Sequence, residues 1–167
     1  MKHTTRHGYA VILVSLLACA SCSRQPAVVP KELSGKVHVQ TVSLMTADEA
    51  AAKHKFAYDP EGKLKPFDKI VAEALLAKVP GSRLVHLTCQ VAMSVFESKN
   101  KQGEITAVFP NGVKTPPAAL STALKVEGEQ LVQGDTVSLA ILFLVPPDQK
   151  SFSVAYSDLT LFQISLK

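Results

Sequence analysis

A mainly β fold, an antiparallel β-sandwich carrying a short helical insertion, is the architecture this sequence predicts, and three observations point to it. Two long segments, "RLVHLTCQVAMSVF" and "TVSLAILFLV", place apolar residues at every second position. Period two sends those side chains to one face of a strand, so each segment describes a strand with a buried side. The helix-like pattern is confined to residues 46–80, and polar turns separate the other strand-like runs. Antiparallel sheets stacked about a single core are the most economical packing for that distribution.

In chain order, the first element is a leader over residues 1–18. Lys2 and Arg6 precede the apolar run "YAVILVSLLA", which turns small and polar at "CASCSRQP". That is the three-part layout of a secretory signal. A bilayer-spanning helix needs roughly 20 mostly apolar residues, about twice the length of this run, so a permanent membrane helix is the weaker reading. Leu16, Leu17, Ala18 and Cys19 resemble a bacterial lipobox. The resemblance implies cleavage after Ala18 and a diacylglyceryl thioether on Cys19. Cys22 is the rival site, since Ala20 and Ser21 suit the positions before it, but Cys19 rather than Leu stands three residues upstream. An ordinary cleaved signal is the alternative to both. The absence of Asp after either cysteine resembles the pattern of outer-membrane delivery.

Residues 19–35 read as a tether, with Pro26 and Pro30 and no periodicity. Proline stiffens such a segment toward about 3.1 Å per residue, enough to hold a domain roughly 35 Å from a membrane. The sandwich domain is expected over residues 36–167. "KVHVQTVSL" alternates at Val37 and Val39 and changes phase at Val42 and Leu44, which predicts a strand with a bulge near Gln40. In "TADEAAAKHKFAY", Thr46 and Glu49 have capping-box spacing, so a helix is expected from Ala47 to about Phe56. "PFDKIVAEALLAKVPG" puts Phe67, Ile70, Val71, Ala74 and Leu75 at helical spacing before Pro80 and Gly81, with a strand as the alternative.

Val85, Leu87, Cys89, Val91, Met93 and Val95 form the buried face of the long strand that follows, with His86, Thr88, Gln90 and Ser94 opposite. "EITAVFPNGV" supplies a short strand and a Pro110–Asn111–Gly112 turn. "KTPPAALSTALKVEGEQLVQGD" reads as connection, with a weak strand at Leu124 to Val126. The run from Thr136 to Val145 is apolar on both faces, which places it mid-sheet or under the helical segment. "SFSVAYSDL" and "LTLFQISL" close the chain as two strands, the second carrying Phe162, Ile164 and Leu166 on one side.

Residues 134–167 resemble the end of a telokin-like domain of bacterial secreted proteins and lipoproteins, the group related to the immunoprotective extracellular protein. The resemblance rests on Phe143, Val145 and Pro146, a polar turn, and then Phe152, Val154 and Tyr156. It implies an immunoglobulin-like sandwich and names no activity. The insertion at 46–80 departs from that pattern.

Charge and composition exclude several classes of function. Losing Lys2 and Arg6 with the leader reduces 18 basic residues to 16, against 14 acidic ones. The lysines are scattered through "KHK", "KLK" and "KNK" rather than forming a stripe, so a nucleic-acid partner is not expected. Beyond Cys19 and Cys22 the only cysteine is Cys89, which leaves no disulfide framework.

Chemistry-bearing motifs are sparse. No G-x-S-x-G elbow occurs, and the spacing of Ser98 to Lys101 falls in a polar loop. Cys89 alternates with Leu87 and Val91 and reads as a small core hydrophobe, with His86 on the opposite face. For a metal, His38, Met45 and His54 are the residues that tertiary folding could gather near the insertion. Asp59, Glu61 and Asp68 lack calcium-loop order. No catalytic, cofactor-binding or metal residue is assigned, and no enzyme is expected. The expected role is a lipid-anchored envelope module, at the outer membrane facing the periplasm, that contacts the membrane through its lipid and another envelope protein through loops, a sheet edge or the insertion. The alternative is a small-ligand or metal carrier, which requires an enclosed pocket with convergent polar groups.

Overall fold

The computed structural model describes residues 27–58, 64–97, 104–125 and 136–166. The elements run β1 (Ala27–Val28), a 3-10 turn (Lys31–Leu33), β2 (Val37–Met45), α1 (Ala47–Lys53), β3 (Phe56–Tyr58), β4 (Leu64–Pro66), α2 (Lys69–Lys78), β5 (Arg83–Ala92), α3 (Met93–Glu97), β6 (Ile105–Val108), β7 (Lys114–Thr115), β8 (Ala119–Lys125), β9 (Thr136–Val145), β10 (Ser151–Tyr156) and β11 (Leu159–Ser165).

These make an antiparallel β-sandwich. One sheet has the order β1-β11-β10-β6-β7 and the other β2-β5-β9-β8. Val85, Leu87, Cys89 and Val91 of β5 and Leu139, Ile141 and Phe143 of β9 pack with Phe152, Val154, Phe162 and Ile164 of the facing sheet. Phe143 meets Phe152 edge-on at a centroid distance of 5.7 Å, a favoured aromatic geometry. A register shift after Val154 adds a residue to β11. Both Leu161 and Phe162 are thereby buried in a strand that otherwise alternates.

The insertion forms a third layer. It joins β2 to β5, which are hydrogen-bonded neighbours, and consists of α1, the β3–β4 hairpin and α2. Ala50, Ala57, Phe67 and Ala72 of this layer pack on Leu84, Ala119 and Leu142, residues on the face of the four-stranded sheet that turns away from the sandwich core. This accounts for β9 being apolar on both faces. At the far end Gly81, at φ +80°, turns the chain into β5 with Pro147 beside it.

Several elements differ from expectation. The first helix stops at Lys53 rather than near Phe56, because His54 leaves helical geometry at ψ 131° and turns into the protein. In α2 the buried side centres on Ala72, with Leu75 and Leu76 beside it, whereas Ile70 is 74% exposed. The long strand ends at Ala92, and Met93 to Glu97 form a helical turn. Val95 is still buried and Phe96 packs edge-on against Tyr156 at 4.8 Å. The stretch read as connection holds β8, seven residues long and paired with β9 throughout. Its two large apolar residues, Leu120 and Leu124, stand four apart among Ala, Ser and Thr, which gives almost no alternating signal. Residues 27–35 of the expected tether lie against the body: Ala27 and Val28 pair with β11, and Leu33 is buried.

Candidate functional site

The layer under the insertion contains the one pair of buried ionisable side chains among the described residues. His86 occupies the outward face of β5, between cross-strand partners Ser43 on β2 and Leu142 on β9. His54 descends on it from the C-terminal end of α1, and the ring centroids lie 5.2 Å apart at an interplanar angle of 66°. Phe67 closes the other side of His54, edge-on at 6.3 Å. Relative exposure is 0% for His54 and 3% for His86. Both ring nitrogens of His54 and Nδ1 of His86 have no hydrogen-bond partner in the structure.

The electrostatics follow from that placement. Burial lowers the pKa of His54 below the usual imidazole value, and the Lys53 ammonium adds to it. Burial, then His54, then Lys53 push His86 down to about 4. The structure therefore holds both rings neutral near pH 7. Among the described residues no carboxylate contributes to either ring: Asp48 pairs with Lys69 at 3.0 Å, Glu49 closes the capping box with Thr46, and Asp68 accepts the Val71 N–H at 2.9 Å.

The other expected residues are placed separately. Cys89 is fully buried in the sandwich core, and burial pushes its thiol up to about 12, which suppresses the thiolate needed for nucleophilic or metal-binding work. His86 faces away from it, as their odd spacing requires. His38 is exposed and pairs with Gln90 on β5, so it does not join Met45 and His54, both of which belong to the insertion layer. The partner that His54 does find is His86. Its signal in the sequence was a histidine on the polar face of a strand, beneath a segment expected to be covered. Among the described residues no group of three or more His, Cys, Asp or Glu side chains is placed to hold a metal. Cys19, Cys22, Asp59, Glu61, Ser98 and Lys101 lie outside the described residues, and Asp68 serves as the α2 N-cap.

A second feature lies at the edge of the sandwich. Among the described residues β2 pairs with β5 alone, so one side of this nine-residue strand is unpaired. A bulge between Val39 and Thr41 interrupts it at Gln40, as the phase change in the sequence predicts. Beside it runs a solvent-open cleft of about 310 Å³ lined by Ala27, Val29 and Val37 to Val42. Val28 and Leu44 are exposed near this edge, at 63% and 47%. A second open cleft, of about 350 Å³, lies over β6, β10 and β11, among Val108, Phe109, Ser153 and Gln163. No helix among the described residues is long and apolar enough to cross a membrane. In comparisons with family models, curated proteins and solved structures, the chain matches none.

Proposed function

We propose that this protein is a non-enzymatic interaction module of the bacterial cell envelope, lipid-anchored through Cys19 at the outer membrane, which takes an extended segment of another envelope protein onto the open edge of β2. The observation that carries the reading is that edge: among the described residues, a long strand unpaired on one side, beside an open cleft whose lining mixes Ala27, Val29, Val37, Val39 and Val42 with His38, Gln40 and Thr41. An unpaired edge is a template for strand addition, in which main-chain hydrogen bonds supply affinity and alternate side chains fill flanking pockets. The bulge at Gln40 divides the strand into two regular stretches, Val37–Val39 and Thr41–Met45, which favours a short partner strand. The lipobox-like "LLAC" supports the anchor, and the proline-containing segment after it supports a body held off the membrane. The insertion, packed as a cap over the sheet, is a less favoured surface for recognition.

The test is site-specific photo-crosslinking in cells, with a photoactivatable residue replacing Leu44 and, for comparison, Ile70 on the exposed side of α2. A discrete adduct from position 44, and none from position 70, is the expected result. An equal or stronger adduct from position 70, or none from 44, overturns the edge as the recognition surface.

A further inference from the structure

We propose that the edge-on His54–His86 pair is an acid-sensitive latch: neutral, it holds the α1–β3–β4–α2 layer against the four-stranded sheet, and protonated, it releases that layer while the sandwich stays folded. The inference is independent of the edge-recognition reading.

Four observations carry it. The two rings are buried against each other with three nitrogens unpartnered, so an added proton has no acceptor to meet. An unpaired charge in an apolar layer is strongly disfavoured, and a second charge 5.2 Å away raises the cost further. The rings also come from the two bodies that would separate, His54 from the insertion and His86 from the sheet, so parting them is what restores access to water. Finally, the backbone hydrogen bonds of the described residues stay within the insertion or within the sheets: the Phe67 N–H donates to the Lys55 carbonyl, and β3 pairs only with β4. Apolar contact of Ala50, Ala57, Phe67 and Ala72 with Leu84, Ala119 and Leu142 is what binds the layer. A unit joined by so few directional bonds can open separately from the core.

The surrounding charges do not oppose protonation-driven release. Lys53 acts on both rings and adds to the penalty. From α1 and α2, Asp48, Glu49, Lys69, Asp68 and Glu73 are exposed and engaged with one another or with helix caps. Lys55 and Lys65 flank the hairpin on the exposed side. On the sheet, Arg83 of β5 donates to the Gln149 carbonyl, β9 has no ionisable side chain, His38 of β2 is exposed, and Lys125 ends β8 opposite Thr136, away from the Leu142–His86 pair.

The experiment is hydrogen–deuterium exchange by mass spectrometry on the purified full chain at pH 7.5 and 5.0, with rates corrected for intrinsic exchange. His86 titrating near 4 when docked and near its ordinary 6.5 when released makes opening roughly 30-fold more favourable at pH 5.0 than at 7.5. Peptides of residues 47–57 and 67–78 should lose protection by at least that factor, while peptides of β9 and β11 keep theirs. H54L/H86L should abolish the pH difference in the layer, and H86Q, which keeps a polar side chain without the titration, should reduce it if the double variant does not fold. Equal layer protection at both pH values, loss of β9 protection in parallel with the layer, or an undiminished pH difference in H86Q would each overturn the latch.

Discussion

Cys89 and His86 stand on one strand and face opposite layers, and each carries the chemistry of the side it faces. The Cys89 thiol, pushed up to about 12, behaves as part of the core. Iodoacetamide at pH 8 should leave Cys89 unmodified in the folded protein and alkylate it in guanidinium, as mapped by peptide mass. Cys89→Ser should cost about 1–3 kcal/mol in denaturant unfolding, because the hydroxyl is buried among Leu87 and Val91 without a partner. His86 makes a pH-dependent contribution of definite sign. Its folded value, about 4, lies below the ordinary value of about 6.5. Between the two, the unfolded chain holds a proton that the folded chain lacks, so stability falls as pH drops through that window and is flat above it. The full loss is about 3 kcal/mol. His86→Leu should therefore show a shallower decline in urea midpoint from pH 7 to 4.5 than the wild type. Cys89's place and its opposition to His86 were legible from strand period alone. The meeting of His54 with His86 was not, because it depends on where the first helix stops, and that is set by packing on the sheet rather than by helix propensity.

At the scale of elements, legibility tracked the contrast between faces. β9, β10 and β11 alternate strongly or carry continuous apolar side chains, and they form where expected. β8 is mostly Ala, Ser and Thr, with Leu120 and Leu124 four residues apart rather than two, and its strand state comes from pairing with β9, a tertiary cause that leaves little trace in its own residues. The α2 segment was recognisable as a helix, capped by the Asp68 carboxylate on the Val71 N–H, yet its buried side centres on Ala72 rather than Ile70. A layer that packs closely on a sheet selects small residues for the contact, so alanine marks the interface better than the bulkier isoleucine does. Leu142→Ala, beneath the layer, should cost about 2–5 kcal/mol in chemical denaturation. Ile70→Ala should change stability by less than about 0.5 kcal/mol. Asp68→Ala should cost about 1 kcal/mol through loss of the cap, with faster amide exchange concentrated in the first turn of α2.

For the whole molecule, the layering separates stability from proposed recognition. The inter-sheet core is filled from both sides, the outer face of one sheet is covered by the insertion, and among the described residues β2 is left with an unpaired side beside the cleft. β1 pairs with β11 at Ala27 and Val28, so the point at which the proposed tether reaches the body is fixed close to that cleft. A tethered body would thus present the β2 edge at a set distance from the membrane, where effective concentration favours even a short strand pairing. That arrangement depends on the anchor. The most direct measurement is the mass of the N-terminal peptide of protein extracted from cell membranes. A chain that begins at Cys19 and carries a diacylglyceryl group, with Met1 to Ala18 absent, is the expected result. A peptide that retains Met1, or one in which Cys19 and Cys22 are both unmodified, would contradict it.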